Sequence, residues 1–298
     1  MSILVCDNIS KIYKKKNSVK NFTFNFLEKK IYAIVGKSDS GKELLLDLMT
    51  VNNQPDSGCV YLDGEPLLNN NEMASRICFI DKSIAFSKQI TVKGVLKFMK
   101  RKYPKWDNKY AYDLLEYFNI KPTSLYLTLP KNQKSLLLGI CSIASRCNIT
   151  VYNDPVSEVD VKDRYDFYNF LYTHHTRYPR TIIIATDFVD EIDYMFDKVL
   201  FIEKGKLIEY FTRDEIKNNF RYLTGKTEVL KSLLAGIKVV GVEERAGTLT
   251  VCIRKKLNKD EIRKFQKYLI KISEVPIQKI FIYLINLRGI KERKNMII

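Results

Sequence analysis

Ile31-Tyr-Ala-Ile-Val35, Gly36-Lys37-Ser38-Asp39-Ser40-Gly41-Lys42-Glu43 and Leu44-Leu45-Leu46-Asp47-Leu48-Met49 follow one another without a break, and their reading decides the fold. The first run is β-branched and aromatic, the second is glycine-punctuated, and the third places leucines at helical spacing, so the stretch reads strand, glycine loop, helix. A GxxxxGK loop in that setting is specific. Its successive backbone N–H groups and the helix N-terminus form a nest for anions, and the lysine reaches terminal phosphates. Gly36, Gly41 and Lys42 meet the pattern. The next position normally offers a Ser or Thr hydroxyl to Mg²⁺, and here it holds Glu43.

Further along the chain, Ile149-Thr-Val-Tyr152 ends at Asn153-Asp154-Pro155, Thr181-Ile-Ile-Ile-Ala185 ends at Thr186-Asp187, and Val199-Leu-Phe-Ile202 ends at Glu203-Lys-Gly205. Apolar strands alternating with helical stretches imply an α/β fold. Its mainly parallel sheet is covered on both faces and binds ligands at the carboxyl ends of its strands, where this polar punctuation falls. Residues 4–12 and 19–26 alternate like antiparallel strands, and Tyr61-Leu-Asp-Gly64 signals a hairpin. A helical segment is expected from Val92 to about Phe118, inside a helical subdomain of about 88–135. No internal repeat or low-complexity tract is present.

The 298 residues are 46% hydrophobic with 8 prolines and 12 glycines, which excludes disorder and collagen-like sequence. The longest apolar runs, 135–145 and 277–287, fall well short of the roughly 20 residues that cross a bilayer. The start, Met1-Ser-Ile-Leu-Val, has no signal-peptide pattern, and the six cysteines have no CxxC spacing. A cytoplasmic chain with reduced cysteines is expected. Fifty basic residues against 34 acidic give +16, and residues 221–298 alone hold 18 basic and 7 acidic. That shift places a boundary between a domain of 1–220 and a small basic α+β domain of 221–298. The second should contain strands at 238–242 and 248–253 joined through Ala246-Gly247, a helix at about 258–271 and an apolar segment at 277–287. The tail lacks RNP-like aromatics and zinc spacings, so nucleic acid is not the favoured partner.

Pro55-Asp-Ser-Gly58, Tyr61-Leu-Asp-Gly64-Glu65-Pro66, Asn153-Asp-Pro-Val-Ser-Glu-Val-Asp160 and Asp197-Lys-Val-Leu-Phe-Ile-Glu-Lys-Gly205, with the glycine loop, resemble in order and spacing the nucleotide-binding subunit of ATP-binding-cassette (ABC) transporters over roughly residues 1–220. Tyr103-Pro-Lys-Trp106-Asp107 before Ala111-Tyr-Asp-Leu-Leu-Glu-Tyr-Phe118 looks like the subfamily encoded beside GntR-type repressors, which includes exporters of phenol-soluble modulins.

The resemblance implies a P-loop cassette fold, ATP and Mg²⁺ as cofactors, and a membrane permease subunit as partner. It also implies a second nucleotide-binding subunit, in a homodimer or heterodimer, and a peripheral position at the inner face of the plasma membrane. By position it implies that Tyr13 stacks on adenine, that residues 36–44 hold the phosphates, and that Lys82 stands at the glutamine linking metal to permease. Leu129-Pro130-Lys131-Asn132-Gln133 then aligns with the signature that caps the partner's ATP, and Asp160 stands at the D-loop.

The family's magnesium-binding aspartate corresponds to Asn153, its water-polarising glutamate to Asp154, and its γ-phosphate-sensing histidine to Asp187. A neutral Asn153 cannot balance metal charge, and Asp154 is one methylene short of a glutamate. Misplacing a general base costs about 10² to 10⁴ in rate. Pro130 removes an N–H, and Asn132 adds a side chain where phosphate comes close. Three readings follow: a transporter subunit with weak or absent hydrolysis, a nucleotide-independent scaffold or regulator, and an active ATPase whose metal carboxylate has moved from position 153 to Glu43.

Overall fold

The structure is a computed structural model that describes residues 2–13, 17–81, 84 and 86–295. The chain divides into two compact units, Met1–Asp187 with Tyr194–Glu209, and Phe188–Asp193 with Tyr210–Ile298. The first unit therefore closes before the composition step at residue 221. Tyr210–Phe220 goes with the second unit, where the Phe211 and Phe220 rings pack edge to face at 5.4 Å.

In the first unit β1 (Ser2–Tyr13) pairs antiparallel with β2 (Asn17–Leu27), as the alternation requires, and buries Leu4, Cys6 and Ile9 against Phe22, Phe24 and Phe26. β3 (Ile31–Val35) is buried throughout and runs into the glycine loop and α1 (Lys42–Met49). β4 (Ser57–Leu62) turns through Asp63 and Gly64, both at positive φ, into the short β5 (Glu65–Pro66). After α2 (Asn71–Ser75) and β6 (Ile77–Ile80) come α3 (Val92–Lys102) and α4 (Asn108–Tyr117). The single helical segment expected over 92–118 is thus two helices. The break falls at Tyr103-Pro104, where proline cannot continue the ladder, and Asp107 caps the second helix by accepting from the Tyr110 amide at 3.0 Å.

α5 (Lys131–Ser145), β7 (Ile149–Asn153), α6 (Val161–Arg177), β8 (Thr181–Ala185), β9 (Lys198–Glu203) and β10 (Lys206–Thr212) follow. The central sheet has the order β10-β9-β3-β8-β7-β6, and its β9-β3, β3-β8, β8-β7 and β7-β6 pairings are all parallel. That arrangement confirms the expected α/β layout and brings the carboxyl ends of β3, β7 and β8 side by side. Gly139 on α5 lets the Phe167 ring of α6 approach so closely that a Cβ there would lie 2.4 Å from it.

The inner face of α6 also buries His174, which meets Arg180 across 3.0 Å from its Nδ1. Burial, and then the Arg180 and Arg146 charges, push its pKa down to about 3. The unfolded chain therefore takes up a proton near the ordinary histidine value of about 6.5 while the folded one resists. This group's contribution is complete above pH 6.5 and is lost progressively as pH falls toward 3. Thermal melting of the wild type should drop over that window, and His174→Gln, which has no proton to gain, should melt with a shallower acid slope.

In the second unit α7 (Arg213–Asn219) leads into β11 (Phe220–Lys226), α8 (Thr227–Leu233), β12 (Val239–Arg245), β13 (Thr248–Arg254), α9 (Lys259–Lys267), β14 (Lys271–Ser273) and α10 (Ile277–Asn295). Its sheet, β12-β13-β11-β14, is antiparallel. Leu223, Leu249, Val251, Ile253, Phe265 and Ile270 form its core. α9 starts on a capping box between Asn258 and Glu261. The six cysteines are free, and among the described residues no helix is long and apolar enough to cross a membrane.

Candidate functional site

Gly41 sits at the N-cap of α1 with φ 93°, a conformation open to glycine. A Cβ on it would lie 2.5 Å from the Ser18 carbonyl oxygen, and one on Gly36 would lie 2.4 Å from Ser40 Oγ. The loop is braced from outside, because the Gly205 amide donates to the Ser40 carbonyl at 2.8 Å and the Lys20 amide donates to the Gly205 carbonyl at 2.8 Å. Lys37, Ser38 and Asp39 are exposed at its crest. Ser40 is buried, its hydroxyl has no hydrogen-bond partner among the described residues, and the Leu44 side chain is in the core.

Lys42 is 8% exposed. Its ammonium donates to the Gly36 carbonyl and to the Lys37 carbonyl at 3.2 Å, and it forms an ion pair with Asp187 Oδ1 at 3.1 Å. Three acceptors use all three of its donors. The carboxylate at the histidine position thus neutralises the loop lysine.

Asn153, at the end of β7, places its Nδ2 3.4 Å from Asp81 Oδ1. Asp154 follows in a left-handed conformation, φ 45°. Its amide donates to the Ala185 carbonyl at 2.9 Å, and its Oδ1 accepts from the Asp187 amide at 3.4 Å. Burial, and then the facing Asp187, raise the Asp154 pKa above its ordinary value. The loop, Asn153, Asp154 and Asp187 thus meet at one end of the sheet.

Asp81 was not among the expected residues, although it ends the apolar run of β6 just as Asn153 and Asp187 end theirs. Asp47, on α1, has its pKa raised by burial first, then by Asp81 and, more weakly, by Glu43. Glu43 itself is exposed. Lys82 lies outside the described residues, as does the side chain of Tyr13.

The signature positions are elsewhere. Leu129 is buried, Pro130 is the N-cap of α5 with no side-chain cap, and Lys131, Asn132 and Gln133 form its first turn. Gln133 Nε2 donates to the Asn119 carbonyl at 3.5 Å. Among the described residues, no hydrogen bond or ion pair joins 129–133 to the loop. Asp160 caps α6 by accepting from the Asp163 amide at 3.1 Å.

The loop suits a triphosphate, with its two clash-limited glycines, a buried lysine and an orphaned Ser40 hydroxyl in its wall. It suits Mg²⁺ poorly. The hydroxyl position holds an exposed carboxylate, Asn153 is engaged with Asp81, and among the described residues no group of three His, Cys, Asp or Glu side chains could hold a metal ion.

The family model for ABC transporters matches residues 19–140. That match covers the β2 to α5 stretch, glycine loop included. The first unit is an ABC transporter ATP-binding domain. The ABC transporter ATP-binding protein YtrB of Bacillus subtilis is 24% identical over 71% of this chain and 73% of its own length. The choline transport ATP-binding protein OpuBA of the same organism is 20% identical over 73% of this chain and 59% of its own. With the glucosylceramide transporter ABCA12 of Homo sapiens the identity is 24% over 67% of this chain, which spans only 8% of that protein. Among solved structures, an ATP-binding subunit of an ABC transporter superposes with TM-score 0.65 at 16% identity, covering 72% of this chain and 92% of that one. A dimeric bacterial ABC transporter cassette superposes with TM-score 0.62 at 18% identity, over 71% of this chain and 99% of that one. These likenesses show the ABC-cassette fold.

Proposed function

We propose that the chain is the nucleotide-binding subunit of an ABC transporter, lying at the cytoplasmic face of a membrane, docking a permease subunit and pairing with a second nucleotide-binding chain. It binds ATP and hydrolyses it weakly or not at all. Names of relatives such as YtrB and OpuBA, and the dimeric state of a solved cassette, support the assembly. The subfamily of exporters beside GntR-type repressors remains part of this proposal.

One observation carries the catalytic half: the position of the phosphate-sensing histidine holds a carboxylate ion-paired to the loop lysine. Phosphoryl transfer depends on positioning and on positive charge gathered at the transferred group. Here Asp187 cancels the charge that Lys42 would offer. The Asn153 amide engages Asp81 instead of supplying a second carboxylate, and Asp154 is one methylene shorter than the glutamate that would polarise water. The residues still able to act are those of the loop, which orient a polyphosphate through backbone amides, so nucleotide serves as a structural signal for assembly.

The test uses purified full-length chain, alone and with permease and second cassette. ATP should raise its melting temperature, Lys42→Ala should lose that shift, and phosphate release should not exceed the Lys42→Ala background. Absence of a shift in the wild type would favour the nucleotide-independent scaffold. Vigorous Lys42-dependent turnover would overturn weak hydrolysis and favour the relocated carboxylate at Glu43.

A further inference from the structure

The glycine loop lies at the carboxyl ends of the parallel strands. At the opposite end, where β7 and β8 begin, the same unit contains a second cavity of about 570 Å³. Its wall carries Lys29, Lys105, Arg146, Arg177 and Arg180 against a single acid, Glu28. Arg146 is ion-paired to Asp107, and its guanidinium lies 3.7 Å from the centre of the Tyr178 ring. Among the described residues the other four cations have no carboxylate partner.

Arg180 is the decisive residue. It is 4% exposed, its Nη1 meets the His174 imidazole, and among the described residues its Nε and Nη2 have no hydrogen-bond partner. The imidazole is neutral at physiological pH and offers no charge. A guanidinium taken out of water without a counter-charge carries a heavy desolvation penalty, and a concave, low-dielectric wall concentrates the field of the cations around it. The arrangement lacks one component, a negative charge, and the cavity is where one can be placed.

We propose that this cavity binds a phosphate-bearing anion, at a site separate from the glycine loop. Guanidinium groups match phosphate oxygens in pairs and give up their hydration water more readily than ammonium groups. Arg146 is held in place by the Tyr178 ring on one side and by Asp107 on the other. Lys29, Lys105 and Arg177 at the rim are exposed and supply the long-range attraction, and Asn148 and Thr181 add neutral polar lining. The volume exceeds a bare phosphate, so the ligand is a phosphorylated small molecule or the headgroup of an anionic lipid.

The probe is inorganic pyrophosphate, titrated calorimetrically at constant ionic strength into full-length Lys42→Ala chain, in which the glycine loop has lost its lysine. Saturable binding is expected. Adding Lys105→Ala and Arg177→Ala, two exposed positions whose removal leaves the core intact, should weaken it at least tenfold. Adding Lys93→Ala and Lys97→Ala, which remove the same net charge from exposed sites elsewhere, should leave it unchanged. A second arm co-sediments the chain with phosphatidylcholine vesicles with and without phosphatidylglycerol. Binding to the anionic vesicles that is lost only in the Lys105/Arg177 variant assigns the phosphate to a lipid headgroup. Pyrophosphate binding without such vesicle binding assigns it to a soluble molecule. No pyrophosphate binding by the Lys42→Ala chain, or equal losses in the cavity and control variants, would overturn the proposal.

Discussion

Asp187→Asn should tighten ATP binding about tenfold, and Lys42→Ala should weaken it at least a hundredfold. In the structure the Lys42 ammonium is shared between two carbonyls of its own loop and Asp187 Oδ1, so an incoming phosphate must displace the carboxylate and then lie beside it. Lys42 is nearly buried while Asp187 is about half exposed. The ion pair is therefore weaker than a fully desolvated one, and solvent takes up part of the displaced charge. Tenfold corresponds to about 1.4 kcal/mol, a reasonable share for a half-screened contact plus the repulsion it leaves behind. Asparagine keeps the shape and removes both terms. Titration of a fluorescent ATP analogue into the single and double variants measures the coupling. The gain from Asp187→Asn should shrink when Lys42 is alanine, because there is then no ion pair to break and only the repulsion between carboxylate and phosphate is relieved. Equal or weaker binding by Asp187→Asn would mean that the carboxylate takes part in holding nucleotide.

Gly41→Ala should cost about 3–5 kcal/mol of stability in the first unit, while Gly64→Ala should cost only about 1 kcal/mol. Both glycines have φ near +90°, so both substitutions carry the left-handed strain of about 1–2 kcal/mol. They differ in what the new methyl meets. At Gly41 it lies 2.5 Å from the Ser18 carbonyl oxygen, whereas nothing stands within 4 Å of it at Gly64. The carbonyl belongs to strand backbone and cannot rotate away. Relief must come from shifting the start of α1, which carries Lys42, so Gly41→Ala should also lose the ATP-induced rise in melting temperature. Chemical denaturation followed by circular dichroism separates the two variants. Equal costs at both positions would show that backbone conformation alone sets the penalty.

Much of the sheet was legible because each central strand is a short, fully apolar run closed by polar residues, the pattern that two-sided burial imposes. The loop was legible because φ +93° and close backbone packing admit little besides glycine. The Lys42–Asp187 ion pair was not, since 145 residues separate its members and no local pattern reports who faces whom across a sheet. Asp81 was a missed opportunity, because it closes β6 by the same rule that located Asn153 and Asp187.

In the second unit the strand candidates 238–242 and 248–253 correspond to β12 and β13, but β11 buries only Phe220 and Leu223 and β14 spans three residues. Neither leaves a periodic trace. The break between α3 and α4 lay in plain view at Pro104 and was hidden by the apolar spacing on either side.

The Lys204-Gly205 turn has a practical bearing on how this chain is handled. A Cβ at Gly205 would lie 2.0 Å from the Ser18 carbonyl oxygen, and the Gly205 backbone holds Ser40 on one side and Lys20 on the other. Although it joins two strands like any surface hairpin, it is a poor place for an epitope, a fluorophore or a circular-permutation cut, since disturbance there passes directly to the phosphate cradle. The tips at Gly236 and Gly247, where nothing lies within 4 Å of an added Cβ, are better attachment points for a spectroscopic label.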